Sequence, residues 1–341
     1  MRLPFSNPFH VPSVTPPEAT MKQRALGKSG VKISPVAMGC WPIAGMTSID
    51  VNDRDSRDTL QGAIESGINF FDTAYCYGAH GESETLLGEV LGVHRSKIVY
   101  ATKGGIHWTS DGQRVQDARP ATLKEECELS LRRLGTDHVE LYYLHAPDPQ
   151  VPIADSAGAI QELIIEGKVV CAGVSNVDLD QLRDFQSECV VSALQPPYNM
   201  LQREIEDDLV PYCVEHDISI LVYWPLMKGL LAGQLKRDHV FAANDGRAKY
   251  PMFQGEEWQK NQDFIDELRT IAGTIGRTVS QVVINWTIQQ TGITGALCGA
   301  KRRYQIEETA AAMDWQLTNE EVDLINQAIA RRGTVITRPA V

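Results

Sequence analysis

The chain has 341 residues, a length that fits one large α/β barrel or two smaller domains. With 43% hydrophobic and 22% charged residues, its composition is that of a globular protein and argues against disorder for most of the chain. The 32 Lys and Arg against 44 Asp and Glu give a formal net charge of -12, which repels polyanions, so we expect no nucleic-acid partner, although a local basic pocket for one phosphate remains open.

Cysteine usage and hydropathy limit the compartment and the kind of site. Seven single cysteines, an odd number without a CxxC pair, predict free thiols in a reducing, cytoplasmic compartment and no metal site. No run of 18 apolar residues occurs, so we expect no membrane insertion. Residues 1–20 are rich in proline and lack a signal-type apolar stretch, which predicts an extended, weakly ordered leader before a single domain over residues 21–341.

After a short N-terminal segment, short apolar runs alternate with amphipathic helical stretches from Val36 onward. The segment RALGKSGVKIS predicts a small hairpin that turns at Lys28 to Gly30. Strands are predicted over 36–40, 68–72, 98–103, 139–145, 169–175, 191–195, 218–223 and 293–298. Helices are predicted near 53–66, 82–92, 120–134, 153–166, 178–187, 205–216, 260–290 in two pieces, and 304–313.

Two further segments complete the chain. The polar stretch 232–259 predicts a long loop after the seventh strand. The tail LTNEEVDLINQAIARR predicts an additional helix with Thr318 as N-cap and Glu321 as the acid of a capping box.

Eight apolar strands alternating with helices predict an α/β fold, a (β/α)8 TIM barrel with an N-terminal β-hairpin and an extra C-terminal helix. A doubly wound open sheet is the competing topology. No GxGxxG follows the first strand, and the spacing around Gly39 is wrong for a dinucleotide fingerprint, so the barrel is favoured.

Polar residues follow three neighbouring strands. Asp72, Lys103 and His145 end strands two, three and four, and Tyr77 lies in the loop after strand two. The carboxyl ends of barrel strands point into one pocket, so we expect these four side chains to meet there. Each alone has an ordinary interpretation: Asp72 as a helix cap, Lys103 as a structural ion pair, His145 as a hydrogen-bonded rim histidine.

Together the four side chains suit carbonyl reduction. The phenol of Tyr77 can give a proton to the oxygen, with its pKa, about 10 in reference peptides, lowered by the Lys103 cation. Asp72 can hold that cation in place, and His145 can orient the carbonyl through a hydrogen bond.

The sequence resembles the aldo-keto reductases, in particular the branch with bacterial stress-type and inositol-related reductases and potassium-channel β-subunits. The resemblance covers about residues 24–330 and is carried by FFDTAYCYGAHGESETLLGEVL, YATKGG, LYYLHAPDP, GVSN, LQPPYNML, LVYWPLMKGLLAG and GAKRRYQIEET. It implies that Tyr77 is the general acid, that Lys103 and Asp72 tune it, and that His145 orients the substrate.

The same resemblance implies NADPH as cofactor, bound across the barrel without a Rossmann motif. It places Ser175, Asn176 and Gln195 at the nicotinamide carboxamide and Tyr223 under the nicotinamide ring. It places a loop along the pyrophosphate that contains Pro225, Leu226, Lys228, Gly229 and Leu230. It places at the adenosine 2'-phosphate and adenine Gly299, Lys301, Arg302, Gln305 and Glu308. The cations of Lys301 and Arg302 favour NADP over NAD.

Other features remain open at the level of the sequence. Trp41 and Trp108 are candidates for the wall of the substrate pocket or are simply packing aromatics, and His107 and Tyr198 are weaker pocket candidates. We expect a small-molecule carbonyl substrate, and sugars, inositol-derived ketones, dicarbonyls and lipid aldehydes are all candidates. The sequence allows a homo-oligomer but does not indicate one. The alternative function is an NADPH-binding regulatory subunit that senses redox state.

Overall fold

The computed structural model describes residues 23–45 and 49–336, so the leader predicted over residues 1–20 lies outside the described residues. Eight parallel strands form a closed barrel. They are β1 (Val36–Gly39), β2 (Phe70–Asp72), β3 (Val99–Gly104), β4 (Val139–Leu144), β5 (Val169–Ser175), β6 (Val191–Gln195), β7 (Ser219–Val222) and β8 (Ile293–Gly299).

Consecutive strands are neighbours in the barrel, and the last strand pairs with the first. Ala296 of β8 lies opposite Val36 of β1, and this parallel register continues to Gly299 opposite Gly39. The strands are buried on both faces, as their near-continuous apolar runs predict. The predicted (β/α)8 barrel is therefore confirmed, and the doubly wound alternative is wrong.

The N-terminal hairpin, formed by Arg24–Ala25 and Lys32–Ile33, lies at the amino-terminal end of the barrel. Leu26 and Ile33 are fully buried against the side chains of the barrel interior. The turn passes very close to the barrel wall: a Cβ at Gly27, where φ is +51°, would lie 2.5 Å from the carbonyl oxygen of Ser192. Only glycine fits this backbone. The predicted hairpin is present and closes the amino-terminal end of the barrel.

Ten helices occur in the described part of the chain, and those that follow the strands surround the barrel. They are α1 (Asp53–Glu65), α2 (Glu82–Leu91), α3 (Pro120–Leu134), α4 (Ile153–Ile165), α5 (Leu179–Gln186), α6 (Leu209–His216), α7 (Gly255–Ile275), α8 (Val279–Gln289), α9 (Arg303–Ala310) and α10 (Asn319–Arg332). The capping box predicted at Thr318 and Glu321 is confirmed at the start of α10. No helix among the described residues is long and apolar enough to cross a bilayer.

Two predictions about the loops are wrong in detail. The loop after β7 ends at Gln254 rather than 259, because α7 begins at Gly255 with two acidic residues in its first turn, where they suit the helix dipole. The loop after β3 contains a second hairpin, Ile106–Trp108 paired with Arg114–Gln116, so Trp108 lies in a strand and not in an irregular loop.

Candidate active site

The carboxyl ends of β2, β3 and β4 bring together the four side chains predicted for catalysis. Asp72 is the last residue of β2, and Lys103 lies one residue before the end of β3. His145 follows the last residue of β4, whose carboxyl end is Leu144. Tyr77 comes from the loop between β2 and α2.

Lys103 forms the centre of this cluster. Its Nζ lies 2.5 Å from Oδ1 of Asp72 and 2.8 Å from the carbonyl oxygen of Thr73, and the side chain is 1% exposed. The second carboxylate oxygen of Asp72 accepts a hydrogen bond of 2.8 Å from Nε2 of Gln195 at the end of β6. Both oxygens of the buried carboxylate are thus satisfied, as a buried charge requires.

Tyr77 receives the third contact of Lys103. The ammonium donates a hydrogen bond of 3.3 Å to the phenol oxygen. Burial raises the pKa of Tyr77 well above its usual value, and the negative charge of Asp72 raises it further. The lowered pKa expected for Tyr77 is therefore wrong, because the burial of the phenol and the Asp72 carboxylate outweigh the nearby cation.

His145 completes the cluster as a neutral imidazole. Burial lowers its pKa well below the ordinary value, and the positive charges of Lys103 and Arg114 act in the same direction. Its Nδ1 lies 3.6 Å from Sγ of Cys76. Burial raises the pKa of Cys76 to about 12, so the thiol keeps its hydrogen and can donate it to Nδ1. When the thiol donates to Nδ1, the imidazole hydrogen is on Nε2 and can be donated to a substrate oxygen.

Aromatic side chains enclose the phenol. The Trp41 ring packs edge-on against Tyr77 at 4.8 Å between centroids. Trp108 packs with Cys76 and Tyr77, and its indole donates a hydrogen bond of 2.8 Å to the Cys76 carbonyl. Both tryptophans predicted for the pocket therefore lie beside the catalytic candidate.

The four residues predicted to contact nicotinamide are also neighbours. The hydroxyl of Tyr223 donates a 2.8 Å hydrogen bond to Oδ1 of Asn176, and the amide nitrogen of Asn176 donates to the backbone oxygen of His145 at 2.9 Å. The hydroxyl of Ser175 donates to the backbone oxygen of Gln195 at 2.8 Å. These hydrogen bonds join the carboxyl ends of β4 to β7. They hold the Tyr223 ring beside the four side chains predicted for catalysis.

The loop after β7 is tightly folded and has several residues in the left-handed backbone region. Left-handed φ values occur at Trp224 (58°), Met227 (44°), Lys228 (57°) and Gly229 (90°). The loop closes on itself through backbone hydrogen bonds: the N–H groups of Met227 and Gly229 donate to the carbonyl oxygens of Trp224 and Leu226, each at 2.8 Å. The Lys228 ammonium lies 4.0 Å from the centre of the Trp224 ring and so packs on it, and the loop also contains Pro225, Leu226 and Leu230.

Cations collect beyond this loop at the end of β8, where Gly299 is the last residue. Lys301 donates to the carbonyl oxygen of Ile49 at 3.0 Å, and Arg302 donates to that of Asp50 at 2.8 Å. Oε1 of Gln305 accepts hydrogen bonds from the backbone N–H groups of Lys301 and Arg302. Glu308 lies further along α9.

Arg247 is a cation in this region that the sequence analysis did not single out. A Cβ on Gly229 would lie 3.4 Å from its Nη1, and its charge lowers the pKa of Lys301. The residue comes from the polar loop after β7, where neither strand register nor helical period indicates a direction. Its carboxylate partner Asp245, at 2.7 Å, fixes it in place.

Two weaker pocket candidates lie elsewhere. His107 turns away from the pocket, and its Nδ1 lies 3.0 Å from the carboxyl of Glu126. Tyr198 is fully buried, stacks on Trp286 and donates to Glu206 at 2.6 Å. The contact with Glu126 accounts for His107, and core packing accounts for Tyr198, without a role in binding.

Comparisons with known proteins identify the family of the chain. A model of the aldo/keto reductase family matches residues 35–330. The chain is 33% identical to aldo-keto reductase YhdN of Bacillus subtilis, covering 90% of this chain and 93% of that protein. It is 31% identical to the NADH-specific methylglyoxal reductase of Escherichia coli, covering 90% and 98%. The solved structure of a glycerol dehydrogenase from Gluconobacter oxydans superposes with a TM-score of 0.84 at 34% identity, covering 91% and 96%.

Proposed function

The chain belongs to the aldo/keto reductase family of nicotinamide-dependent oxidoreductases, and we propose that it reduces an aldehyde or ketone to an alcohol with Tyr77 as general acid. The observation that carries the proposal is the contact of one buried ammonium, Lys103, with both the Asp72 carboxylate and the Tyr77 phenol oxygen. When bound, reduced nicotinamide supplies the hydride for the carbonyl carbon.

The side chains have separate tasks in this proposal. Because the Tyr77 oxygen accepts from Lys103, its own hydrogen is left to point toward a substrate oxygen. The raised pKa of Tyr77 keeps that proton in place at neutral pH until an alkoxide, a stronger base than phenolate, develops. Nε2–H of the neutral His145 orients the same oxygen, and Trp41 and Trp108 restrict water.

Replacing the phenol tests the proposal. Tyr77→Phe should lower kcat by ~10² to 10⁴ and leave cofactor affinity nearly intact, since the ring that packs on Trp41 remains. The assay follows cofactor absorbance with aldehydes, ketoses and dicarbonyls. Tyr75→Phe, two residues away in the same loop, is the matched control and should stay within about two-fold of wild type. Full activity of Tyr77→Phe would refute the assignment, and tight cofactor binding without turnover of any carbonyl by wild type would favour the regulatory alternative.

The proposed cofactor is NADPH. Lys301, Arg302 and Arg247 gather positive charge where the adenosine end would lie, and the loop Trp224 to Leu230 connects that end to Tyr223. The Escherichia coli relative is named for NADH, so the preference has to be measured in this chain.

Lys301→Met should raise KM for NADPH by about ten-fold and leave KM for NADH within about two-fold, because only NADPH has the 2'-phosphate that a cation here would bind. Arg303→Met is the control, since Arg303 turns to Asp58 and Glu307 on the outer helices. Equal effects on both cofactors, or a wild-type preference for NADH, would contradict the proposal.

A further inference from the structure

The hairpin after β3 has one face toward the catalytic cluster and one away from it. Its register pairs Trp108 with Arg114, and Ile106 with Gln116. Directly opposite residues share a face of an antiparallel pair, and alternate residues along a strand do so too. Ile106, Trp108, Arg114 and Gln116 therefore form one face, whereas His107 belongs to the other and contacts Glu126 below.

Contacts of the aromatic strand show which face looks into the site. Ile106 and Trp108 pack with Cys76, Ala146 and Tyr77 in one small cluster at the carboxyl end of the barrel. The Trp108 indole is fixed by its hydrogen bond to the Cys76 carbonyl, one residue before Tyr77. Arg114 lies directly opposite Trp108, so its Cβ is on the face of the hairpin that lines the proposed substrate pocket.

Within residues 23–45 and 49–336, Arg114 differs from the other cation at the site, Lys103, in having no protein partner. Lys103 is held by Asp72, whereas Arg114 is exposed and, among the residues that the structure describes, no salt bridge or hydrogen bond of its guanidinium occurs. Its positive charge nevertheless reaches the site, since it lowers the pKa of His145 and acts in the same direction on the phenols of Tyr77 and Tyr223.

The cavity that begins at Gln116 of the same hairpin has one carboxylate in its lining, and that carboxylate has hydrogen-bond partners of its own. A cavity of about 500 Å³ continues from Gln116 past Ala146 to Asn176 and contains Asp148. The Asp148 carboxylate accepts hydrogen bonds from the backbone N–H groups of Gln150 at 2.8 Å and Ala118 at 3.3 Å, so its charge is already satisfied locally. An unpaired guanidinium at a pocket mouth is suited to a ligand that brings its own anion.

We propose that Arg114 binds an anionic group of the substrate, so that the preferred substrates are aldehydes or ketones that carry a carboxylate or a phosphate. The inference rests on the proposed carbonyl reduction. The anionic group is a spectator: the carbonyl carbon gains hydride, the oxygen gains the Tyr77 proton, and the carboxylate or phosphate is unchanged. Arg114 anchors it at the hairpin while His145 and Tyr77 hold the carbonyl oxygen.

The test compares carbonyl substrates in pairs, one member with an anionic group and the other a neutral analogue. For wild type, kcat/KM is measured for 4-oxobutanoate against its methyl ester, and for glyceraldehyde 3-phosphate against glyceraldehyde. We expect at least one anion to be preferred by about ten-fold or more, with the preference falling as salt rises. Which pair shows it distinguishes carboxylate from phosphate.

Arg114→Gln should lower kcat/KM for the preferred anion by about 10- to 100-fold, mostly through KM, and change that for the neutral partner by less than two-fold. Arg114→Lys should restore part of the preference. Arg119→Gln removes the same charge from an exposed arginine held by Asp117 and should leave the preference unchanged.

Two results would overturn the inference while leaving carbonyl reduction standing: a wild-type enzyme that prefers the anion in neither pair, or equal losses on charged and neutral substrates in Arg114→Gln. Failure of every carbonyl, charged or neutral, to oxidise the cofactor would instead remove the proposed function on which the inference rests.

Discussion

A buried ammonium group that faces both a carboxylate and a phenol has three hydrogens to share, and Lys103 uses all of them. Its contacts are the Asp72 carboxylate, the Thr73 carbonyl and the Tyr77 phenol oxygen. The phenol is therefore an acceptor on the lysine side and a donor on the open side. This direction of the hydrogen bonds, more than a change of pKa, makes Tyr77 suitable as the acid in the proposed reaction.

Cys76 is predicted to act through His145. A thiol that donates to Nδ1 stabilises the Nε2–H tautomer, and at 3.6 Å this is a weak hydrogen bond. Cys76→Ala should lower kcat/KM about two- to ten-fold, the effect of losing roughly 0.5–1.4 kcal/mol, whereas Cys76→Ser keeps a donor and should retain most of the activity. Steady-state kinetics of the two variants provide the measurement. Equal losses in both would indicate a packing role instead.

The residues that the sequence could predict are those that end strands. Asp72 and Lys103 lie within the last two positions of their strands, and His145 directly follows its own, so alternation and barrel topology determine where they meet. Arg114 and Arg247 come from loops, where no periodic pattern indicates direction. The pKa of Tyr77 also could not be predicted, because it depends on burial and on how completely Asp72 neutralises Lys103.

At the level of secondary structure, the hairpin after β3 is held from below by a buried carboxyl group. Oε2 of Glu126 on α3 accepts from the Gly105 N–H at 2.6 Å, and Oε1 lies 3.0 Å from Nδ1 of His107. Burial raises the pKa of Glu126 to about 8, and the charges of Asp117 and Glu84 raise it while Arg133 lowers it. With its proton on Oε1, the carboxyl can donate to the imidazole nitrogen.

This raised pKa predicts how stability depends on pH. The folded protein keeps a proton on Glu126 that the unfolded chain loses near pH 4.5, so stability falls as pH rises from about 4.5 to 8. Glu126→Gln has the same shape and cannot ionise. Its free energy of unfolding should match wild type near pH 5 and exceed it at pH 8, by on the order of 1–3 kcal/mol.

Urea denaturation at several pH values measures this difference. Glu125→Gln, on the exposed side of the same helix, is the control and should follow the wild-type curve. A Glu126→Gln curve parallel to wild type from pH 5 to 8 would show that the carboxyl is ionised in the folded state.

The sequence contains a signal from which the hairpin after β3 can be predicted. Asp111 and Gly112 lie between IHW and RVQ, and an Asp-Gly pair between two such runs is a hairpin signal. Gly112 has a φ of 79°, and Thr109 and Gln113 close the turn through a 2.9 Å backbone hydrogen bond. The strands are only three residues long, too short for alternation to be recognised against a loop.

For the whole molecule, the barrel is predictable because eight apolar strands and their crossovers allow few other arrangements. Strand closure from β8 to β1 follows from that repetition. The region between β7 and α7 follows no such rule: Pro251 to Phe253 forms a 3-10 turn, and the Trp258 indole anchors α7 to the carbonyl of Arg237. The start of the helix at residue 255 thus depends on tertiary contacts that the sequence pattern does not contain.

The attachment of α10 to α7 gives a prediction about the stability of the whole chain. The guanidinium of Arg332 on α10 is 1% exposed and contacts the Glu257 carboxylate and, at 2.7 Å, Oδ1 of Asn261, both on α7. The neighbouring Arg331 contacts Glu267 of the same helix but is 57% exposed. Arg332→Met leaves Glu257 buried without a counter-charge and should cost about 3–5 kcal/mol of unfolding free energy, whereas Arg331→Met should cost about 1 kcal/mol or less.

Because the cost arises from the stranded carboxylate, the double variant Arg332→Met with Glu257→Met should recover much of the loss in urea denaturation. No recovery would mean that the arginine stabilises the helix pair through packing of its aliphatic part rather than through charge.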